Sequence, residues 1–280
     1  MTAAIVVDAD AAMPALQGWR AFMWVATLTV LWAALNYWPA IQASGVPYAA
    51  SRLLIYATVA LGLWLGLERT ELSPTQRRNT WLAVIIPYTL WLALAWSLAI
   101  NGAFRPGATS IPLLPMAIFL PVIVGVPVLM RSRRIGEVLD AMPPAWLVGL
   151  QVYRVLGSIF LVYWASNLAP GVFALPAGTG DVLTGLFALP VAISLAARGG
   201  AARRAALAWN IFGLFDFAVA IALGLITSPG PLQLIVPSIP NPAAGFYPTV
   251  LTPAFTVPSS ILLHTLSLRQ LARRGIGGGR

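Results

Sequence analysis

The sequence predicts an all-α integral membrane protein with eight transmembrane helices. Three observations lead there. Hydrophobic residues fill 59% of 280 positions and charged residues 9%, whereas a soluble domain carries ~25% charge. The apolar residues arrive in blocks of about twenty, the length that crosses ~30 Å of hydrocarbon as a helix. The arginines gather at the ends of alternate blocks, which is a topology signal.

The chain opens with residues 1–18, MTAAIVVDADAAMPALQG, which hold two aspartates and no basic residue. A secretory signal needs a positive n-region, so this reads as a cytoplasmic N-terminal tail. The membrane domain covers 19–272, with spans at about 19–41, 48–67, 80–100, 111–130, 144–168, 181–197, 204–227 and 248–268; residues 273–280 form a cytoplasmic C-terminal tail. The second and sixth spans are short. The fourth and eighth are rich in proline and are expected to bend. Arg20, the 69–78 and 131–134 connections, the 198–204 connection and the tail after Leu268 hold every arginine except Arg52, Arg105 and Arg154. In an eight-span arrangement those regions share one face, which the positive-inside rule makes cytoplasmic. Seven or nine spans would break the alternation. Trp19, Trp38 and Trp146 stand at span ends, as interfacial anchors do.

The two halves are candidate parallel four-helix repeats, 19–134 and 144–272. IPLLPMAIFLPVIVGVPVLMR (111–131) matches YPTVLTPAFTVPSSILLHTLSLR (247–269), with prolines 112, 115 and 121 answering 248, 253 and 258. Asn36 precedes Pro39 as Asn167 precedes Pro170, and Arg77 and Arg78 answer Arg203 and Arg204. The offset drifts along the chain, so chance matching in a Pro- and Arg-rich sequence stands beside duplication. Some transporters are built from such repeats. Pro87 and Pro190 read as the ordinary prolines of membrane helices.

Charge inside the spans is scarce, and it defines the candidate centre. WNIFGLFDFAVAIALG (209–224) carries one carboxylate, Asp216. At 100° per residue Asn210, Gly213, Asp216, Ala220 and Gly224 share one helix face, and its small residues suit close helix contact. In the fifth span Gln151, Arg154 and Ser158 also share a face. Counted from the cytoplasmic end at 1.5 Å per residue, Arg154 lies ~15 Å deep and Asp216 ~18 Å deep. Each charge alone would cost ~2.5–3.5 kcal/mol in the membrane, and arginine cannot shed its proton. The two are therefore expected to pair. The pair is either packing glue between two helices or part of a solute or proton path.

Other polar residues sort by depth, with Gln151, Asn210 and His264 towards the cytoplasm and Asn167 and Asp181 outward. Asp181, in PAGTGDVLTG, reads first as the N-cap of the sixth span, and Asn167 as the close of the fifth. His264 sits between Ser260 and Ser267 and reads as a hydrogen-bonded or titrating histidine. The 228–247 connection carries no charge and is expected to lie on or dip into the outer interface.

Much chemistry is excluded. With no Cys, no Lys and one His, the chain has no thiolate nucleophile, Schiff-base lysine or cluster for a transition metal. There is no G-x-S-x-G and no H-E-x-x-H, and no paired intramembrane carboxylates are expected. GTGD fails G-x-G-x-x-G because residue 183 is Leu. No cofactor and no nucleic acid is expected, despite a net charge of +9, because the arginines follow the span ends.

LQVYRVLGSIF, PAGTGDVLTG, WNIFGLFDFAVA and LLHTLSLRQL resemble segments of a group of uncharacterised bacterial multi-pass integral membrane proteins, over residues of about 149–272. The resemblance implies a bacterial inner-membrane location and no particular activity. The expected role is binding or transport of a small solute or ion at a polar centre of Arg154, Asp216, Gln151, Asn210, Ser158, His264 and Asp181, with the lipid bilayer as surroundings. A structural or accessory subunit is the alternative, and a membrane-embedded enzyme on a lipid-soluble substrate the third.

Overall fold

A computed structural model describes residues 9–230, 232–241, 243 and 245–277. Residues 1–8 and 278–280 of the two expected tails lie outside the described residues. The regular structure among the described residues is entirely helical. It comprises α1 (Ala9–Tyr37), α2 (Pro39–Ser44), α3 (Val46–Glu68), α4 (Pro74–Ile100), α5 (Leu113–Arg131), α6 (Arg133–Ala141) and α7 (Pro144–Leu150). A 3-10 segment, Gln151–Ser158, leads into α8 (Ile159–Ala165), followed by α9 (Gly171–Arg198) and α10 (Arg203–Thr227). A π-helical turn, Thr252–Thr256, opens α11 (Val257–Gly277).

Local chemistry sets several of these ends. Ser73 and Gln76 form a reciprocal capping box ahead of α4, with Pro74 at the first helical position, where a missing N–H is harmless. Ser132 accepts from the Ile135 amide at 3.3 Å and starts α6. Asn167 closes α8 in the left-handed region, φ 55°. The Leu168 amide then reaches back to the Tyr163 carbonyl at 2.7 Å, the bond of a Schellman turn.

Six helical stretches among the described residues are long and apolar enough to cross a membrane. The last, Gly171–Thr227, has 57 residues, far beyond the ~20 that one crossing needs. It is a hairpin. Gly199, at φ 52°, turns the chain between α9 and α10, and the two helices run antiparallel, with Trp209 Nε1 donating to the Thr184 carbonyl at 2.9 Å. Trp24, Leu31, Ile123 and Val128 stand exposed on α1 and α5, a surface suited to lipid rather than water.

The sixth predicted span begins ten residues too late. Pro170 precedes α9 and Gly171 starts it, so PAGTG is helix, not loop. Gly and Pro are tolerated in membrane helices where neighbours pack closely or resatisfy the backbone. The glycines are used for close approach. A Cβ at Gly178 would meet the Leu161 side chain at 2.8 Å, and one at Gly185 the Val155 amide nitrogen at 2.5 Å. The 3-10 segment is thereby pressed onto α9. The prolines of the fourth and eighth predicted spans behave differently from each other. Pro121 and Pro127 lie inside a continuous α5, whereas Pro253 sits in the π-turn, a local widening of the kind that relieves a missing amide.

The end of α11 ties down the connection after α5. Arg269 donates to the Leu129 and Ser132 carbonyls at 2.5 and 3.1 Å. Gln270 donates to Leu139 and Met142 at 2.5 and 2.7 Å. Those of Leu129, Leu139 and Met142 are carbonyls at helix C-termini, which favour such donors, whereas Ser132 also accepts from the Gly136 amide of α6. Arg273 Nε bonds Asp140 at 2.8 Å.

Two predictions follow from this packing. Gly185→Ala should force the 3-10 segment off α9 and destabilise the detergent-solubilised protein by ~1–3 kcal/mol, read as a lower Tm; an unchanged Tm would contradict the close approach. The bond from Arg273 holds the Asp140 carboxyl below its ordinary value. A depressed carboxylate stabilises above its unfolded pKa, ~3.9, and that contribution is lost as pH falls through the folded value. Because both side chains are well exposed, Asp140→Asn should therefore lose no more than ~1 kcal/mol at neutral pH and flatten the acid limb of a Tm-against-pH curve.

Candidate functional site

The 3-10 winding places Arg154. At three residues per turn, Gln151, Arg154 and Gly157 eclipse along one face. Gly157 makes room on that face, since a Cβ there would collide with the Asp181 side chain. Arg154 is 3% exposed and uses its whole guanidinium. Nε donates to Asp181 Oδ1 at 2.7 Å and Nη2 to Asp216 Oδ2. Nη1 donates to the Gly213 carbonyl at 3.2 Å and to His264 Nε2 at 3.3 Å. The guanidinium carbon lies 3.8 Å from the Phe217 ring centroid, a cation–π contact. One cation thus joins α9, α10 and α11.

The histidine's protonation state follows from its partners. Arginine can only donate, so Nε2 accepts and the ring is neutral with its proton on Nδ1. That proton faces Asn210 Oδ1 at 3.0 Å. Asn210 Nδ2 in turn donates to the Ala206 carbonyl at 2.8 Å and to Ser267 Oγ at 3.1 Å. Gly213 leaves space for the imidazole, because a Cβ there would lie 2.5 Å from it. Gly180 does the same for Asp216.

The cluster borders a cavity of about 460 Å³, within the ~300–1,000 Å³ of small-molecule sites. Asp181 and Asp216 line its inner end, and Phe160, Phe173, Phe217 and Ala220 its walls. The 103–115 and 228–243 connections form its outer part, with Arg105 and Asn241 among the lining residues. Past the carboxylates, away from the cavity, Trp209 packs on His264 with centroids 5.0 Å apart. There, indole, imidazole, Asn210 and Ser267 fill the space. A second, small pocket of about 30 Å³ lies among Arg52, Arg154, Asp181 and Ser260, enough for a water or two.

Of the seven residues expected at the centre, five form one bonded network: Arg154, Asp181, Asp216, His264 and Asn210. Gln151 is fully buried but bonds elsewhere, to the Ser260 carbonyl at 3.2 Å. Ser158 is buried with its hydroxyl unpartnered; α-helical spacing put it on the Arg154 face, and the 3-10 winding gives that place to Gly157. Asp181 needs the largest correction. It is neither an N-cap nor an outward rung but a residue of the α9 interior, gripping the same guanidinium as Asp216. Arg52 was missed altogether. It is 4% exposed and bonds the hydroxyls of Ser51 and Thr252 at 2.9 and 2.6 Å, over the ring of Tyr48 at 5.2 Å. Its signal was present, because Tyr48 and Arg52 are four apart and such pairs share a helix face. Among the described residues no three His, Cys, Asp or Glu side chains converge to hold a metal ion.

Fold and site together define an all-helical membrane protein whose interior holds an arginine between two aspartates, at the blind end of a largely apolar cavity. The chain belongs to the family described as Domain of unknown function (DUF8737), whose model matches residues 111–272, more than half of its length and all of the bonded network. No match is found among curated proteins or solved structures.

Because Asp181 holds Arg154 too, Asp216→Asn leaves the cation with a counter-charge and should be the milder loss. Arg154→Gln leaves two facing carboxylates and should cost ~3–5 kcal/mol of stability. Adding Asp216→Asn to Arg154→Gln should restore part of it, measured as Tm in detergent. A double variant no more stable than Arg154→Gln would show that the carboxylates are not in charge contact.

Proposed function

We propose that this protein binds a small solute in the carboxylate-ended cavity and carries it across a bacterial inner membrane. The observation that carries this reading is a ligand-sized cavity that reaches, from one side of the bundle, two carboxylates in its interior, Asp216 buried and Asp181 partly so. A bundle built only to pack would fill that volume with side chains, as protein interiors do. The plug of Trp209, His264, Asn210 and Ser267 closes the other side, which is the arrangement of a carrier open to one compartment.

In this reading the chain crosses the bilayer eight times. The α9–α10 hairpin supplies two crossings, and the π-turn with α11 supplies the last. The arginine-rich connections and both termini then face the cytoplasm, and the cavity opens outward. Two four-crossing halves, matched by their prolines, are part of the same proposal. The Arg154 triad serves both packing and the site, because the carboxylates that neutralise the guanidinium also end the cavity.

The chain has no cysteine, so single cysteines can be placed without a background. Ala220→Cys, midway along the cavity wall, should react in intact cells with a membrane-impermeant methanethiosulfonate. Ala272→Cys, exposed near the end of α11, should react only in inverted vesicles. An Ala220→Cys protein that is silent from outside would overturn the outward opening, and silence from both sides would overturn the solute cavity.

A further inference from the structure

We infer that the solute is an elongated amphiphilic monocation: an ammonium head on an apolar body, with a hydrogen-bond acceptor towards its other end. This rests on the reading that the cavity takes a solute, and it assigns the solute's chemistry.

The head follows from the inner end of the cavity. Two carboxylates share one guanidinium there, so with both ionised the triad carries one surplus negative charge. Arg154 occupies Oδ1 of Asp181 and Oδ2 of Asp216, and the second oxygen of each carboxylate makes no such bond. Both aspartates line the cavity, and neither Arg154 nor Arg52 does. Arg52 shares a small pocket with Asp181 and its charge balances the surplus, so the sign of the cavity's inner end is set by position: the carboxylates line it and the two guanidiniums do not. Beside the Thr252 hydroxyl, which accepts from Arg52, the inner end presents the free carboxylate oxygens as acceptors. Anions are disfavoured there, and a hard divalent cation, which takes six or more oxygens, would have to keep most of its water against apolar walls. An ammonium group brings N–H donors and one charge. The ring of Phe160, which shares a pocket with Asp181, adds a favourable quadrupole; Phe173 packs further out, against Gly224.

The body follows from the walls. On α10 the cavity is bounded by Asp216, Ala220, Gly224 and Ser228, one helix face at i+4 spacing, which spans ~18 Å. Between the aspartate and the serine this stripe offers no polar side chain. A compact hydrated ion would leave most of that length unfilled, whereas an alkyl or aryl chain would fill it.

The far end supplies an independent sign of a ligand. Asn241 lines the same cavity and is 2% exposed. Its Oδ1 accepts from the Ala243 amide at 3.1 Å, but its Nδ2 has no acceptor. A buried donor left unmet costs ~1–3 kcal/mol, and an acceptor on the solute removes that penalty. Arg105, also at this outer end, lies over the Phe246 ring at 5.9 Å.

The test is calorimetric titration of the full-length protein in dodecylmaltoside with three matched probes: 4-phenylbutylammonium, 4-phenylbutanol and 4-phenylbutyrate. The ammonium should bind at least tenfold more tightly than the alcohol, and the acid should bind weakest. Asp181→Asn keeps the neutral Arg154–Asp216 pair, so it should fold, and it should bring the ammonium to within threefold of the alcohol. Ala220→Phe, which fills empty volume, should abolish binding of all three while Tm holds. Equal binding of ammonium and alcohol to the natural sequence, or an unchanged preference in Asp181→Asn, would overturn the monocation and leave the solute cavity standing. Absence of binding by every probe, with Ala220→Cys also unreactive from both sides, would overturn both.

Discussion

A guanidinium that cannot lose its proton sits in the interior of an apolar bundle, and the rest of the structure is arranged around it. Moving such a charge out of water costs several kcal/mol even after relaxation. Arg154 is stable there because two carboxylates, a backbone carbonyl, an imidazole nitrogen and an aromatic face surround it. They come from three helices. Asp181 belongs to α9, Gly213, Asp216 and Phe217 to α10, and His264 to α11. Satisfying one side chain therefore fixes the relative position of three helices and the 3-10 segment.

Glycine makes that convergence sterically possible. Gly157, Gly180 and Gly213 each border a member of the network, and in each case a methyl group would occupy space that a carboxylate or the imidazole already fills. Gly178 and Gly185 bring α9 against α8 and the 3-10 segment in the same way. These glycines thus have a specific purpose. They let backbones approach until a buried arginine can reach acids on two neighbours. Association in lipid relies on such close packing, since apolar side chains gain little by leaving acyl chains for one another.

The fold class was legible because it depends on composition and block length, which need no tertiary knowledge. The contact between Arg154 and Asp216 was legible because depth along a helix follows from residue count, and a permanent cation has to find an anion. Asp181 was not. Its surroundings, PAGTG, read as a turn in water, and only a membrane interior with close neighbours makes those residues helical. Ser158 was misplaced because the 3-10 winding is imposed by contact with α9, a tertiary effect that period-counting cannot see. Arg52 was assigned to an outer flank on the strength of topology. Its burial against Tyr48 and Thr252 joins segments two hundred residues apart. The cavity too depends on three-dimensional arrangement, because its walls come from helices and connections across most of the chain.

The eight-residue 3-10 run has a geometric corollary. Wound as an ordinary α-helix, the same residues would be ~4 Å shorter and would turn ~160° less in total. Arg154, near the middle of the run, would then aim away from both aspartates. The guanidinium's bearing is thus encoded in helical pitch, and the tightly wound form is the one in which cation and carboxylates meet.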